Sequence, residues 1–275
     1  MPGEWSREAV LSGGEPGVVD SSVAHCARVY DYWLGGKDNF ALDRAAGEQA
    51  KKAFPGIVVS ARANRGFLAR AVRFLAGEVG IRQFLDIGTG IPTRDNTHEI
   101  AQRAAPQSRV VYADNDPIVL THARALLASG PEGTIDYLDA DLRDPRKILD
   151  AAGLLLDVRR PVAVLLMAVL QHIDDADDPY AIVGTLMAAL PRGSYLALSH
   201  PASDISARSV AKMADVLSSV LAEQITFRDR TAVARFFQGM ELLDPGIVRA
   251  SQWRPATGIM AAGPAAIWAG LARKT

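Results

Sequence analysis

The chain has 275 residues, 49% hydrophobic and 22% charged, with 30 basic against 31 acidic residues and a net charge of -1. That composition excludes a disordered chain, and it fits one large globular domain or a domain with an added cap; no bulk charge announces a nucleic-acid or membrane partner. The single cysteine, Cys26, excludes an intrachain disulfide, and no cysteine zinc site is expected to be possible.

In chain order, residues 1–20 carry Gly, Ser, Pro and charge without an apolar period, so a loose arm is expected, and no signal-peptide core is present. Cys26, Val29, Tyr30, Trp33 and Leu34 then recur at i, i+3, i+4, i+7 and i+8, one face of a helix that Gly35-Gly36 stops. After the loop GGKDN, a second helix is expected from Phe40 until just before Pro55. A third is expected over 60–79, with Gly80 as its cap. From there apolar strands alternate with helices, the strands falling at 83–86, 109–114, 134–138, 162–167 and 194–199. Asp116-Pro117, Asp144-Pro145 and Asp178-Pro179 each read as a helix start, with Asp as N-cap and Pro at the first helical position. The alternation predicts an α/β fold with a doubly wound, mostly parallel seven-stranded sheet and right-handed crossovers. Helices over 206–221 and around 231–237 follow. The segments MELLDPGIV and AAIWAGLARK then read as two strands, a hairpin on the sheet edge. The expected organisation is an arm (1–20), an N-terminal helical cap or lid (21–80) and a ligand-binding α/β domain (81–275). The longest apolar run, 162–170, is too short to span a bilayer core of about 30 Å, so a soluble cytoplasmic protein is expected.

Ligands of such sheets bind outside the carboxyl ends of the strands at the switch point, where the loop FLDIGTGIPT (84–93) lies. Gly88 and Gly90 permit a sharp turn and a close ligand, although a glycine pair alone is equally a strand end and a turn. Asp114, ending the second strand, is placed to accept from both hydroxyls of a ribose. Asp141 in DADLRD is placed to accept from an adenine amino group, whereas Asp116 reads better as a cap. The loop departs from a dinucleotide site. Thr93 stands where the third glycine belongs, Pro92 precedes it, and no Walker lysine follows. The carboxylate of Asp86, two residues before the first glycine, would repel a pyrophosphate but suit a cation. A ligand with adenosine at one end and an amino acid at the other fits this pattern better, and S-adenosylmethionine is such a ligand.

The stretches DIGTGIP, VVYADNDP, DADLRD and LLMAVLQHIDD, in this order over roughly residues 80–200, resemble the motifs of the class I S-adenosylmethionine-dependent methyltransferases, with Pro92 in place of the last glycine. Nearly end to end, the chain is similar to an actinobacterial family of S-adenosyl methyltransferases formerly known as a domain of unknown function. RVYDYWLGGKDNF, ARANRGFLARAVRFL, FLDIGTGIPTRDNTHE, VVYADNDPIVLTHARALL and the terminal WRP carry that resemblance. It implies the fold, S-adenosyl-L-methionine as cofactor, and methyl transfer to an unidentified acceptor. Carried over position by position, Asp86, Gly88 and Gly90 frame the methionine part, Asp114 holds the ribose, and Asp141 with the Leu142 amide reads adenine. Asn115 and Met167 count among the same cofactor-binding positions.

Methyl transfer asks the protein mainly to position the acceptor and exclude water, with a base needed only where the nucleophile must lose a proton early. His172, just past the fourth strand, is the best-placed base, and a satisfied structural histidine is the competing reading; His200 is a weaker second candidate. Tyr30 and Trp33 read as packing residues. Tyr32, Lys37, Asp38 and Asn39 flank the double-glycine turn, which is a lid over the crevice, with Tyr32 and Lys37 counted among the cofactor-binding positions, or a turn with Asp38 or Asn39 as N-cap. Asn64 and Arg65 are placed to reach the methionine carboxylate or to face solvent, and Trp253 to border the acceptor or to pack. No metal is expected, because His98-Glu99 lacks the zinc-protease spacing and DDADD lacks the calcium-loop spacing. The acceptor is expected to be a small molecule, not nucleic acid or membrane, and the oligomeric state is unspecified. A nicotinamide-dependent oxidoreductase and a non-catalytic S-adenosylmethionine-binding regulator are the alternatives.

Overall fold

Runs such as FLDI and AVLLM contain almost no polar residue, and in a computed structural model both lie in strands buried on both faces, as parallel sheets require. The structure describes residues 21–126, 132–221, 223–255 and 265–275; the expected arm lies outside them. Strands β1 (Gln83–Ile87), β2 (Arg109–Asp114), β3 (Thr134–Asp139), β4 (Ala163–Met167) and β5 (Tyr195–Pro201) pair in parallel in the order β3-β2-β1-β4-β5. The order reverses direction at β1, which sits between β2 and β4.

The tail differs from a simple edge hairpin. The segment expected as one strand is divided into β6 (Glu241–Leu242) and β7 (Val248–Arg249), and both pair antiparallel with β8 (Ile267–Arg273). β8 itself runs antiparallel along the whole of β5, so it lies inside the sheet. The Asp-Pro-Gly turn between β6 and β7 explains the division, since proline cannot donate to the ladder.

Three helices precede the sheet: α1 (Cys26–Leu34), α2 (Ala41–Ala53) and α3 (Ile57–Phe74). Gly35 ends α1 in the left-handed region at φ 84°. The third helix starts three residues earlier than its period suggests and closes with a π turn (Leu75–Val79) onto Gly80. In the crossovers lie α4 (Thr97–Ala104), α5 (Pro117–Leu126), α6 (Pro145–Ala152) and α7 (Pro179–Ala188); α8 (Ala207–Leu221) and α9 (Arg230–Arg235) follow β5. All three Asp-Pro helix starts form. Asp116 accepts from Ile118 N, Asp144 from Lys147 N and Asp178 from Ala181 N.

Alternate strand residues feed opposite faces. Leu85, Val111, Val164 and Leu196 pack with Ile148 and Ile182 on one side; Phe84, Val110, Leu165 and Ala197 pack with Phe67, Leu68 and Val72 of α3 on the other. A third cluster unites α1, α2 and α8 through Val29, Trp33, Ala46, Ala50, Met213 and Leu217. The α1–α2 corner is locked by the buried ion pair of Arg28 and Asp43 at 2.8 Å. Neither Asp38 nor Asn39 caps α2. Phe40 occupies that place, with the Asp43 carboxylate accepting from its N–H at 2.8 Å. The GGKDN loop instead wraps buried Asp31, whose Oδ2 accepts from Asp38 N and Asn39 Nδ2, and a Cβ on Gly36 would lie 1.8 Å from Asp31 Oδ1. Trp253 is wholly buried against Phe67 and Phe74, so it packs and does not border the crevice. Among the described residues, no helix is long and apolar enough to cross a membrane.

Candidate active site

The carboxyl ends of β1, β2, β3 and β4 open into one crevice, roofed by α1 and α8, with a cavity of about 280 Å³. Asp86, Gly88, Gly90, Asp114, Asn115, Asp141, Leu142, Met167 and His172 all line it, as do Asn64 and Arg65. Tyr32 and Lys37 do not. The Tyr32 hydroxyl turns to Glu48 on α2 under the Lys51 ammonium, and Lys37 is exposed on the GGKDN loop. Tyr30 and Trp33, on the buried face of α1, line the crevice in their place.

Gly88 and Gly90 both adopt positive φ, 71° and 67°, which a side chain resists. Gly88 also lacks room on its protein side, because a Cβ there would lie 2.2 Å from Val169 Cγ2. Around Gly90 a Cβ would meet nothing within 4 Å, so this backbone faces open space. Gly90 takes the left-handed turn, which lets Pro92 keep its own fixed φ further along the loop. Arg65 Nη2 then fastens the loop by donating to the carbonyls of Arg94 and Asp95 at 3.2 and 2.9 Å.

Asp114 Oδ2 accepts from Gly90 N and its Oδ1 from Asp116 N, both at 3.0 Å. Each oxygen retains a further lone pair, enough for a vicinal diol. Burial raises its pKa above the ordinary carboxylate value. Asp86 is buried more deeply, accepts from Thr97 Oγ1 at 2.6 Å, and is pushed up to about 6 by that burial. A cation placed beside it would restore the charged form. Asn115 Nδ2 donates to Asp141 Oδ2 at 3.2 Å, joining the ends of β2 and β3. Asn64 is spent on structure: its Nδ2 donates to the Tyr30 hydroxyl and its Oδ1 accepts from Ser199 Oγ, tying α1 to β5.

On the other side of the crevice, His172 Nδ1 lies 2.7 Å from Glu223 Oε1, and its Nε2 lies 3.0 Å from Gln171 Nε2. Cys26 joins them: the ligand-type atoms of Cys26, His172 and Glu223 lie within 4.8 Å of one another. A lone cysteine therefore does not exclude a mixed Cys-His-Glu grouping, which the sequence reading had set aside. His25, the N-cap of α1, sets its Nδ1 2.9 Å from Asp116 Oδ2. The hydrogen bonds to Asp116 and then to Cys26 raise His25 to about 11. His200 lies outside the crevice lining. It is wholly buried, accepts from Arg228 Nη1 at 2.9 Å, and burial, then the Arg228 charge, lowers it to about 3. It is the satisfied core histidine, not a base. Glu223 and His25 gave no signal in the sequence, because their partners lie 51 and 91 positions away.

The model of the S-adenosyl methyltransferase family matches residues 13–275. The chain belongs to that family. A DUF574 family protein of Streptomyces avermitilis is 46% identical, superposes with a TM-score of 0.88, and is covered over 99% of its length by 93% of this chain. A candidate methyltransferase of Thermobifida fusca is 42% identical, with a TM-score of 0.85, 94% of this chain and 98% of that one. No curated protein matches. This S-adenosyl methyltransferase is an enzyme of S-adenosylmethionine-dependent methyl transfer, and the donor fits the residues present. Open space faces the Gly90 backbone, Asp114 has lone pairs for a diol, and the carboxyl of Asp86, pushed up by burial, suits a neighbouring cation.

Proposed function

We propose that the protein methylates a small molecule enclosed between the sheet and its helical roof, with His172 as the base. The carrying observation is a single crevice that joins the Asp86–Gly90–Asp114 cradle to the His172–Glu223 pair. Its cavity of about 280 Å³ is near the size of small-molecule pockets, about 300–1,000 Å³. Asp86, Gly88 and Gly90 hold the methionine end, Asp114 and Asn115 the ribose, Asp141 and Leu142 the base, and Met167 the floor between donor and acceptor. When bound, S-adenosylmethionine supplies an activated methyl group. The protein positions the acceptor, excludes water and takes up any proton that must leave. The cap we propose consists of α1 and α2 with α8, since these three share one apolar cluster; α3 joins it only through Ile57, Val58 and Ala61 at its start and packs from Phe67 onward on the sheet.

Calorimetry with S-adenosylhomocysteine and with NAD tests the cradle. The former binds and the latter does not, and Asp114→Ala weakens binding by about 1–3 kcal/mol through the lost hydrogen bonds. Unchanged affinity in Asp114→Ala would place the donor elsewhere.

A further inference from the structure

The roof and far wall of the crevice are apolar. Leu34, Phe54, Leu217, Leu221, Ile225 and Phe227 line it, drawn from α1, the end of α2, α8 and the irregular segment after Glu223. Against this wall stands one hydrogen-bonded pair whose geometry has a direction. The contact of His172 Nδ1 with Glu223 Oε1 at 2.7 Å puts the ring proton on Nδ1, because a carboxylate only accepts. Nε2 is then left with its lone pair. It accepts from Gln171 Nε2, whose other hydrogen is fixed on Ala168 O at 2.6 Å. That amide-to-ring hydrogen bond joins two neutral groups, so a stronger donor can replace it.

We infer that the acceptor is an uncharged molecule with an apolar body and a phenol- or enol-like hydroxyl delivered to His172 Nε2, with Glu223 as the positioning residue for that histidine. The inference rests on the methyltransferase reading of the same crevice. The charges on this side leave no place for an ionic acceptor. Glu223, which would pair with an ammonium, is committed to His172; burial pushes its carboxyl up, the hydrogen bond from His172 pulls it down, and the balance holds it low. Arg143, which would pair with a carboxylate, is spent on Asp141, Asp177 and the His172 carbonyl. A hydroxyl needs neither. In the overall reaction its oxygen becomes bonded to the methyl carbon, the carbon–sulfur electron pair leaves with sulfur, and the hydroxyl proton is left over. His172 Nε2 takes that proton, and Glu223 stabilises the imidazolium it forms. Arg228 keeps the two in register, donating to the carbonyls of Leu170 and Ile173 on either side of His172 from the chain segment that carries Glu223.

The test uses the protein loaded with S-adenosylhomocysteine and three probes of one shape: para-nitrophenol, para-nitrobenzylamine and para-nitrobenzoate. Para-nitrophenol is expected to bind tightest, and to absorb as phenolate at a pH below its own pKa. Glu223→Gln, which keeps the shape but not the charge, is expected to cut the bound phenolate fraction severalfold with unchanged circular dichroism; Glu223→Asp recovers part of it. Tighter binding of the amine or the acid, no binding of para-nitrophenol to the loaded protein, or an undiminished phenolate band in Glu223→Gln would overturn the inference. So would a band lost in EDTA and restored by zinc, which would make Cys26, His172 and Glu223 metal ligands. Failure of S-adenosylhomocysteine to bind at all is a separate outcome: it would remove the methyltransferase reading on which the inference stands.

Discussion

Asp86 shows how one residue reports on ligand charge. Its carboxyl is raised to about 6 by burial, so the folded protein binds that proton more tightly than the unfolded chain does. In the free protein, ionising Asp86 therefore costs stability as pH rises from the ordinary carboxylate value through about 6. A cationic ligand needs the ionised form and reverses the preference. Affinity for S-adenosylmethionine is thus expected to rise as pH passes upward through about 6, with a proton released on binding below that pH, and Asp86→Asn should flatten the dependence. Titration calorimetry in two buffers of different ionisation enthalpy reads both effects; an affinity indifferent to pH across that range would sink the idea. Asp86, Gly88, Gly90 and Asp114 were legible in the sequence because turn geometry and charge restrict what can stand there. Tyr32 and Lys37 misled for a physical reason. A side chain that lines an enclosed crevice is shielded like a core residue, so Tyr30 and Trp33 on the apolar face of α1 read as packing residues, which they are, and they line the crevice as well; the polar loop reads equally as a lid or a turn, and Tyr32 and Lys37, which flank its glycines, lie outside the lining.

Among the elements, the loop after β4 depends on a chain segment far away in sequence. Arg228 is almost fully buried and satisfies Leu170 O, Ile173 O and His200 Nε2, each at 2.9 Å, as well as Asp175. Arg228→Leu leaves the Ile173 carbonyl and the His200 ring nitrogen without donors in the interior, and Leu170 O with the Ile173 N–H alone, where each unpaired group costs about 1–3 kcal/mol. A loss of roughly 3 kcal/mol in denaturant unfolding is expected, with Arg228→Lys recovering only part because an ammonium cannot span the fork. A loss below about 1 kcal/mol would mean that water replaces the guanidinium readily. The parallel strands were legible because doubly buried strands are written as uninterrupted apolar runs. The division between β6 and β7 was not, since two residues carry no periodicity, and neither was the partner of His172, since Glu223 lies on an irregular stretch.

At the scale of the molecule, the roof over the crevice is tied down at the cofactor end by His25 and Asp116. His25, raised to about 11, contributes fully below its ordinary value of 6.5 and loses that contribution only as pH rises through about 11. Asp116 is lowered, burial being outweighed by the His25 hydrogen bond and charge. Its contribution is present above 3.8 and lost as pH falls through its lowered value. The pair therefore persists across the neutral range. His25→Ala is expected to speed dissociation of S-adenosylhomocysteine severalfold at neutral pH, followed by the fluorescence of Trp33 in stopped flow, while the wild-type rate stays flat around neutrality. A variant that releases ligand at the wild-type rate would show that α1 does not gate the crevice. The α/β layering was legible from the alternation of elements. The composition of the roof was not, because α8 joins α1 and α2 from more than 150 positions further along the chain.

The strand that completes the sheet, β8, is made last and inserted between β5 and the short β6 and β7. A nascent chain that has left the ribosome as far as β5 already carries Asp86, Gly88, Gly90, Asp114 and Asp141 of the crevice lining, but neither the wall of α8 nor this strand. Synthesis runs from the N-terminus, so the first half must wait for the second before it can retain a ligand. The crevice is thus a feature of the assembled chain: these acids and glycines stand on the earlier part, and the wall of α8 that encloses it comes from the later.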